Sequence, residues 1–195
     1  MIACCERFER VTGDANDVGR LGGEIDGSAW AMNLEAGQRF PDLDLPDHTG
    51  RPRRLSELAG GDPVALLFSR GWWCPKEQRH LREVTALQNE FEVAYARIVV
   101  VSIDAPEVQS AFRAGLGARF AFLSDSERRW LERLDLLEET DTLHRPYRPT
   151  GFTLHPDLTV HRSYDGFWYW GRPTMEDLRQ DMRAISRVVR EDFQR

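Results

Sequence analysis

The stretch Val64–Leu81, VALLFSRGWWCPKEQRHL, decides how the rest of the chain is interpreted. Its first five residues, Val64–Phe68, form a short and continuous apolar run, which predicts a buried strand. A helical pattern starts just after Cys74. Pro75 suits the first helical position, because its missing N–H is not needed there and its fixed φ is already helical. The sequence therefore predicts a strand that delivers Cys74 to the N-terminus of a helix.

A helix N-terminus is a reactive setting for a cysteine. Free backbone N–H groups and the positive end of the helix dipole lie beside the sulfur. Both favour the thiolate, which is the nucleophilic form of cysteine. The alternative is a buried structural cysteine, which is common in proteins. The position of Cys74, directly after a break that contains Gly71, favours the functional interpretation.

Composition restricts the class of protein. The chain has 195 residues, of which 41% are hydrophobic and 30% charged, as expected for one globular domain. No apolar run approaches the roughly 20 residues that a membrane helix needs. The first ten residues, MIACCERFER, lack the pattern of a signal peptide. The net charge of -6 and the scattered arginines argue against a nucleic-acid partner.

The chain has three cysteines, Cys4, Cys5 and Cys74. A low and odd number without a signal peptide predicts a reducing, cytoplasmic location rather than a disulfide framework. The five histidines show no ligand spacing with one another or with the cysteines, so neither a metal site nor a cofactor is expected. Lys76 is the only lysine, and it lies inside the reactive stretch.

Residues 1–37 are weakly patterned and rich in Gly and Asp, which predicts an N-terminal extension before a domain of residues 38–195. Cys4 and Cys5 lie in this extension. Either they are incidental, or one of them resolves an oxidised Cys74. They are not expected to pair with each other, because adjacent cysteines fit disulfide geometry badly.

In the domain, short apolar runs alternate with segments of helical periodicity. Strands are predicted at Phe40–Leu45, Val64–Phe68, Ile98–Ile103, Phe120–Leu123, Gly151–Leu154 and Leu158–His161. Helices are predicted after Ser56, Cys74, Pro106, Asp125 and Pro173, with Leu81, Val84, Val108, Phe112 and Val189 among the residues facing the core. This order predicts an α/β fold with a central mixed β-sheet flanked by helices.

Four motifs carry a family resemblance. They are CPKE at Cys74–Glu77, RIVVVSIDAPEVQSAFRAGLG at Arg97–Gly117, FAFLSD at Phe120–Asp125 and RPTGFTLHPDLTV at Arg148–Val160. With the order of the elements, they resemble the thioredoxin fold and, more narrowly, the peroxiredoxin-like family (alkyl hydroperoxide reductase and thiol-specific antioxidant proteins, or redoxins). The resemblance spans about Gln38 to Ile185 and leaves out the N-terminal extension.

The resemblance implies a thiol-dependent reduction of hydrogen peroxide or organic hydroperoxides. Cys74 would become a sulfenic acid and be reduced by an external thiol, either a thioredoxin-like protein or a low-molecular-weight thiol. Arg148 would hold the peroxide and Glu77 would orient that arginine. The alternatives are a solvated loop arginine and a carboxylate that only stabilises the helix dipole.

The chain departs from the family pattern at the substrate side of the site. Gly71 stands where the family has a threonine or serine three residues before the cysteine, and Leu67 replaces a proline. Pro149 takes the slot of the catalytic arginine, with Arg148 one residue away. Pro149 and the following threonine instead resemble the cis-Pro-Thr pair of thioredoxins. We expect Gly71 and Pro149 to border the bound substrate.

Two groups of aromatic residues complete the prediction. Trp72 and Trp73 are expected to shape an apolar substrate entrance and to exclude water. The run Phe167–Trp170 cannot place all its rings on one side of a strand, so it either forms a homodimer interface or covers the active-site end of the core. His80 is expected to lie at the surface.

Three functions stay open at this point. The first is the one-cysteine hydroperoxide reductase. The second is a thioredoxin-like thiol–disulfide oxidoreductase, although Glu77 occupies the position of the second cysteine of a C-x-x-C motif. The third is a redoxin-fold interaction protein without peroxidase activity.

Overall fold

A computed structural model of the protein describes residues 34–166 and 170–190. Cys4 and Cys5 lie outside these ranges, as do Phe167, Trp168 and Tyr169, so their predicted roles stay predictions. The boundary between the extension of residues 1–37 and the domain of residues 38–195 also stays a prediction.

The described residues form a mixed α/β fold. The strands are β1 (Asp44–Pro46), β2 (Pro52–Arg54), β3 (Val64–Phe68), β4 (Arg97–Ser102), β5 (Ala121–Ser124), β6 (Thr150–Leu154) and β7 (Val160–Asp165). The helices are α1 (Leu55–Ala59), α2 (Pro75–Ala86), α3 (Gln88–Val93), α4 (Pro106–Leu116), α5 (Arg129–Arg133) and α6 (Met175–Val189). Strands β1 and β2 form a small antiparallel hairpin.

The other five strands form one sheet in the order β5-β4-β3-β6-β7. Strand β3 lies at the centre, parallel to β4 and antiparallel to β6. All five of its residues are buried, as its unbroken apolar sequence predicts. Leu66 and Phe68 pack on one face, while Ala65 and Leu67 pack on the other, under the helices that contain Leu81 and Leu178. The predicted central mixed sheet is confirmed.

The predicted junction between the central strand and a helix is also confirmed. Helix α2 has Pro75 in its first turn and Cys74 as the residue that precedes it in the N-cap position. Cys74 is extended, with φ -81° and ψ 116°, so the chain turns into the helix at this residue. The carboxyl end of β3 therefore leads to Cys74 through only five residues.

Some predicted details are wrong. The helix predicted to start after Ser56 begins before it: α1 starts at Leu55 with Arg54 in the N-cap position, and the Ser56 hydroxyl donates to Asp42 at 2.8 Å. Val108 is 37% exposed, since the inner face of α4 instead presents Gln109, whose amide donates to the Leu123 carbonyl. Val189 is 41% exposed, because it is the last residue of α6 and lies a turn beyond the buried part of that helix.

Among the residues that the structure describes, no helix combines the length and the apolar character needed to cross a membrane.

Candidate active site

Cys74 is fixed at the mouth of α2 by its backbone. Its N–H donates to the Gly71 carbonyl at 3.2 Å, and its own carbonyl accepts the Gln78 N–H at 3.0 Å. The residue is 3% exposed, and its side chain makes no capping hydrogen bond to the helix. The sulfur is therefore held at the positive end of the helix without being used as a cap.

Glu77 orients an arginine, but that arginine is Arg172 and not Arg148. Arg172 Nε donates to Glu77 Oε1 at 2.9 Å, and Arg172 Nη2 contacts the same oxygen. The Glu77 side chain is 2% exposed and that of Arg172 12%, so the ion pair is buried. No local pattern in the sequence indicates this pair, since its members lie 95 positions apart.

His80 is not at the surface, contrary to the prediction. Its side chain is partly buried, and Nε2 lies 3.1 Å from the Pro173 carbonyl oxygen. Burial lowers the pKa of His80 below its ordinary value, and this effect outweighs the opposing influence of Glu77. The imidazole is therefore neutral near pH 7 and donates through Nε2–H. This bond ties α2 to the segment that contains Arg172.

Arg148 lies against a different carboxylate from the one predicted. Its Nε is 2.9 Å from Asp165 Oδ1 on β7, and its backbone N–H donates to the Leu136 carbonyl. Its contacts within residues 34–166 and 170–190 do not include Glu77, so the predicted pairing of these two residues is wrong. The role of Arg148 in holding a peroxide stays a prediction.

Pro149 borders a small cavity together with Glu77 and Arg172. No peptide bond in the described part of the chain is cis, so the bond before Pro149 is trans. The expected likeness to the cis-Pro-Thr pair of thioredoxins therefore does not extend to this bond.

Three cationic residues gather around the first turn of α2. The pKa of Lys76 lies below its ordinary value, because loss of hydration and the positive charges of Arg172 and Arg70 disfavour the ammonium form. Cys74 acts on Lys76 in the opposite direction. Positive charge from three side chains thus reaches the neighbourhood of the cysteine.

A second ion pair, which is partly buried, joins the segment before Cys74 to a distant loop. Arg70 is 7% exposed, and its Nη2 lies 2.7 Å from Asp141 Oδ2. Asp141 also contacts His144 Nδ1 at 3.2 Å. Although burial raises the pKa of Asp141, the hydrogen bonds from His144 and Arg70 outweigh it and hold that pKa below its ordinary value. Sequence reasoning missed all three of these residues; the only local signal was a charged residue directly after a buried strand.

Trp73 lies between the two partners of Asp141. Its ring stacks on the imidazole of His144, with centroids 3.7 Å apart and planes 13° apart. The Arg70 guanidinium carbon lies 5.2 Å from the centroid of the same indole. We call the set Arg70, Trp73, Asp141 and His144 the tryptophan clasp. It fixes the ring next to Cys74.

Gly71 departs from the family pattern for a steric reason. Its φ is +129°, which L-residues rarely adopt. A Cβ at this position would lie 2.8 Å from Trp73 Nε1 and 3.1 Å from both carboxylate oxygens of Asp104. Asp104 also accepts the Trp72 N–H at 3.0 Å, while the Trp72 residue itself is 49% exposed. The structure thus brings Gly71 and Trp73 together and leaves the Trp72 side chain open to solvent.

Comparison with known proteins agrees with this architecture. The model of the AhpC/TSA family matches residues 36–163 of the chain. The chain belongs to the AhpC/TSA family. It is also similar to two Mycobacterium tuberculosis proteins, from strains H37Rv and CDC 1551, that are named as peroxiredoxins. Each is 35% identical over 97 residues, a stretch that covers 48% of this chain and 61% of the relative.

Solved structures of this family share the fold. Peroxidoxin BcpB of Mycobacterium tuberculosis superposes with a TM-score of 0.68 at 24% identity, covering 82% of this chain and all of the other. The AhpC of Enterococcus faecalis superposes with a TM-score of 0.67 at 18% identity, covering 83% of this chain and 97% of the other. Reduced Prx3 of Vibrio vulnificus was solved in complex with hydrogen peroxide. It superposes with a TM-score of 0.67 at 18% identity, covering 75% of this chain and 97% of the other. The predicted family and the thioredoxin fold are therefore confirmed.

Proposed function

We propose that this protein reduces hydrogen peroxide or organic hydroperoxides with Cys74 as the attacking thiolate. One observation carries the proposal: Cys74 occupies the N-cap position of α2, where the positive charges of Arg172 and Arg70 act on the neighbouring Lys76. A helix N-terminus and nearby cations both stabilise a thiolate relative to a thiol. Membership of the AhpC/TSA family supports the same chemistry.

The proposed reaction transfers one oxygen atom to sulfur. The Cys74 thiolate attacks one oxygen of the peroxide, the O–O bond breaks, and an S–O bond forms. The other oxygen leaves as hydroxide or alkoxide and takes up a proton, which gives water or an alcohol. Cys74 is oxidised to a sulfenic acid, while the peroxide is reduced.

The proposed roles of the charged residues differ. The buried pair of Glu77 and Arg172 fixes a guanidinium at the first turn of α2, where it stabilises negative charge. Arg148 is the residue to which the family resemblance gives the task of holding the peroxide. In the described contacts the Arg148 guanidinium pairs with Asp165. To hold the peroxide, Arg148 would have to release Asp165 and turn to the substrate.

The return to the thiol needs an external reductant in this proposal. No second cysteine lies near Cys74 in sequence. Two molecules of a thiol, or one dithiol protein, would convert the sulfenic acid to thiol and water and become a disulfide. Such a cycle fits a reducing compartment, and we place the protein in the cytoplasm as a homodimer or a monomer, with residues 38–195 as the catalytic domain.

Turnover with a thiol reductant tests the proposal. We expect the wild-type protein to consume hydrogen peroxide and an organic hydroperoxide in the presence of dithiothreitol. The variant Cys74→Ser should lose this activity, and Arg148→Gln should lower it if Arg148 holds the peroxide. Cys4→Ser with Cys5→Ser is the matched control and should keep full activity. Equal consumption by wild type and Cys74→Ser would refute the proposal.

A further inference from the structure

The space beside Gly71 contains an unused hydrogen-bond donor. A side chain at residue 71 would begin 2.8 Å from Trp73 Nε1, so the indole N–H occupies the place that such a side chain would take. Within residues 34–166 and 170–190, no group accepts a hydrogen bond from this N–H. Trp73 is partly buried, and its Nε1 is not among the buried side-chain atoms without a partner in the described part of the chain, so the N–H is open to a small ligand.

The donor is held in a fixed orientation by the tryptophan clasp. His144 stacks on the ring at 3.7 Å, and Arg70 lies 5.2 Å from its centroid. Asp141 bonds to both of these residues, and the Arg70–Asp141 pair is itself partly buried. A donor whose direction is set before the substrate arrives needs no reorganisation during the reaction, which is what makes such groups effective in catalysis.

The neighbouring Asp104 carboxylate holds the backbone of the loop through one of its two oxygens. Asp104 accepts the Trp72 backbone N–H at 3.0 Å and the Ser102 hydroxyl at 2.9 Å. Burial raises the pKa of Asp104 above its ordinary value in spite of these bonds. Both bonds are to the same oxygen, Oδ2, which thereby holds the backbone of the loop, and the Trp73 N–H takes part in neither of them.

On the basis of the proposed peroxide reduction by Cys74, we propose that the indole N–H of Trp73 is a catalytic hydrogen-bond donor to the peroxide. It donates to the oxygen that is not attacked. As the O–O bond breaks, negative charge collects on this oxygen and the hydrogen bond becomes stronger. Trp73 thereby supplies the hydrogen-bond donor that Gly71, which has no side chain, cannot supply.

Replacement of the N–H alone tests this role. In Trp73→Phe the donor is lost and an aromatic ring is kept. Substitution of Trp73 by β-(3-benzothienyl)alanine is sharper, because sulfur replaces the N–H while the two fused rings keep their shape. Trp170→Phe is the matched control, since this indole is 78% exposed and outside the proposed site. Two rates are measured for each protein: oxidation of Cys74 by hydrogen peroxide, and alkylation of Cys74 by iodoacetamide.

We expect both Trp73 variants to slow the peroxide reaction roughly 10- to 100-fold, the size of one lost hydrogen bond to a charged group. Alkylation should change less than about twofold, because it needs the thiolate but no donor to a leaving oxygen. An unchanged peroxide rate in the benzothienyl variant would overturn the role of Trp73. So would an equal loss in both reactions, which would indicate a structural effect. A wild-type protein that reacts no faster than free cysteine would instead refute the proposed function on which this role rests.

Discussion

At the scale of single residues, the loop before Cys74 depends on the absence of a side chain at residue 71. Gly71 combines a positive φ with two close neighbours, Trp73 Nε1 and the Asp104 carboxylate. The turn from β3 to α2 passes through this point. Its geometry determines where the Cys74 N–H meets the Gly71 carbonyl.

Gly71→Ala should therefore destabilise the protein. A Cβ at this φ and in this space should lower the free energy of unfolding by about 1–3 kcal/mol, the usual size of local backbone strain. Gly115→Ala is the matched control, because Gly115 lies in α4 with no atom within 4 Å of its Cβ position. That exchange should raise stability by about 0.5–1 kcal/mol. Urea unfolding measures the change in the free energy of unfolding for both variants. Equal changes in Gly71→Ala and Gly115→Ala would contradict the claim that the loop needs a glycine at position 71.

The sequence predicted some residues of the site and missed others for a clear reason. Cys74 and Glu77 were identified because local features of the sequence mark their positions, namely a strand end, a proline and a helix start. Arg172 and His144 were missed because each acts through a partner far away in the chain, Glu77 in one case and Trp73 in the other. Such pairs leave no pattern in a single sequence.

At the scale of elements, the N-terminal half of α2 is anchored to the segment before α6. The anchor consists of the buried Glu77–Arg172 ion pair and of the bond from His80 to the Pro173 carbonyl. The sequence predicted both helices and most of their buried residues, but not this contact between them. The anchor holds the helix that carries Cys74 against the rest of the fold.

Removal of Glu77 should show how much the buried pair matters. Glu77→Ala removes the buried carboxylate that pairs with the Arg172 guanidinium, which should cost about 3–5 kcal/mol of unfolding free energy. Glu90→Ala breaks the pair with Arg179, in which the side chains are 52% and 31% exposed, and should cost at most about 1 kcal/mol. If urea unfolding gives similar losses for the two variants, the Glu77 pair does not anchor α2.

His80 should make the anchor sensitive to acid. Its pKa in the folded protein lies below the ordinary value of 6.5. As the pH falls below that value, the unfolded chain takes up a proton that the folded protein does not, so the free energy of unfolding decreases. The variant His80→Gln can still donate to the Pro173 carbonyl but does not titrate.

The measurement compares unfolding of wild type and His80→Gln between about pH 7 and pH 5. Other histidines with lowered pKa values, His48 and His155, contribute equally to both proteins and cancel. The advantage of wild type over His80→Gln should shrink as the pH falls. A difference that stays constant over this range would show that His80 is not held in its neutral form.

At the scale of the whole molecule, the fold was predictable because periodicity and turn residues mark its elements in order. The unbroken apolar run of β3 indicated a central strand, and β3 is central and fully buried. Errors occurred where a polar residue is buried, as at Gln109, or where an apolar one is exposed, as at Val108. The fold places Cys74 after the carboxyl end of the central strand, and it brings Asp141 to Arg70 and Arg172 to Glu77 from distant parts of the chain.

The central claim is that Cys74 is the residue which peroxide oxidises. Its most direct test treats the reduced protein with one equivalent of hydrogen peroxide in the presence of dimedone, which traps sulfenic acids. Peptide mass mapping then locates the adduct. We predict a dimedone adduct on Cys74, with Cys4 and Cys5 still reduced. Adducts that form at Cys4 and Cys5 as fast as at Cys74, or the absence of any adduct at Cys74, would contradict the account.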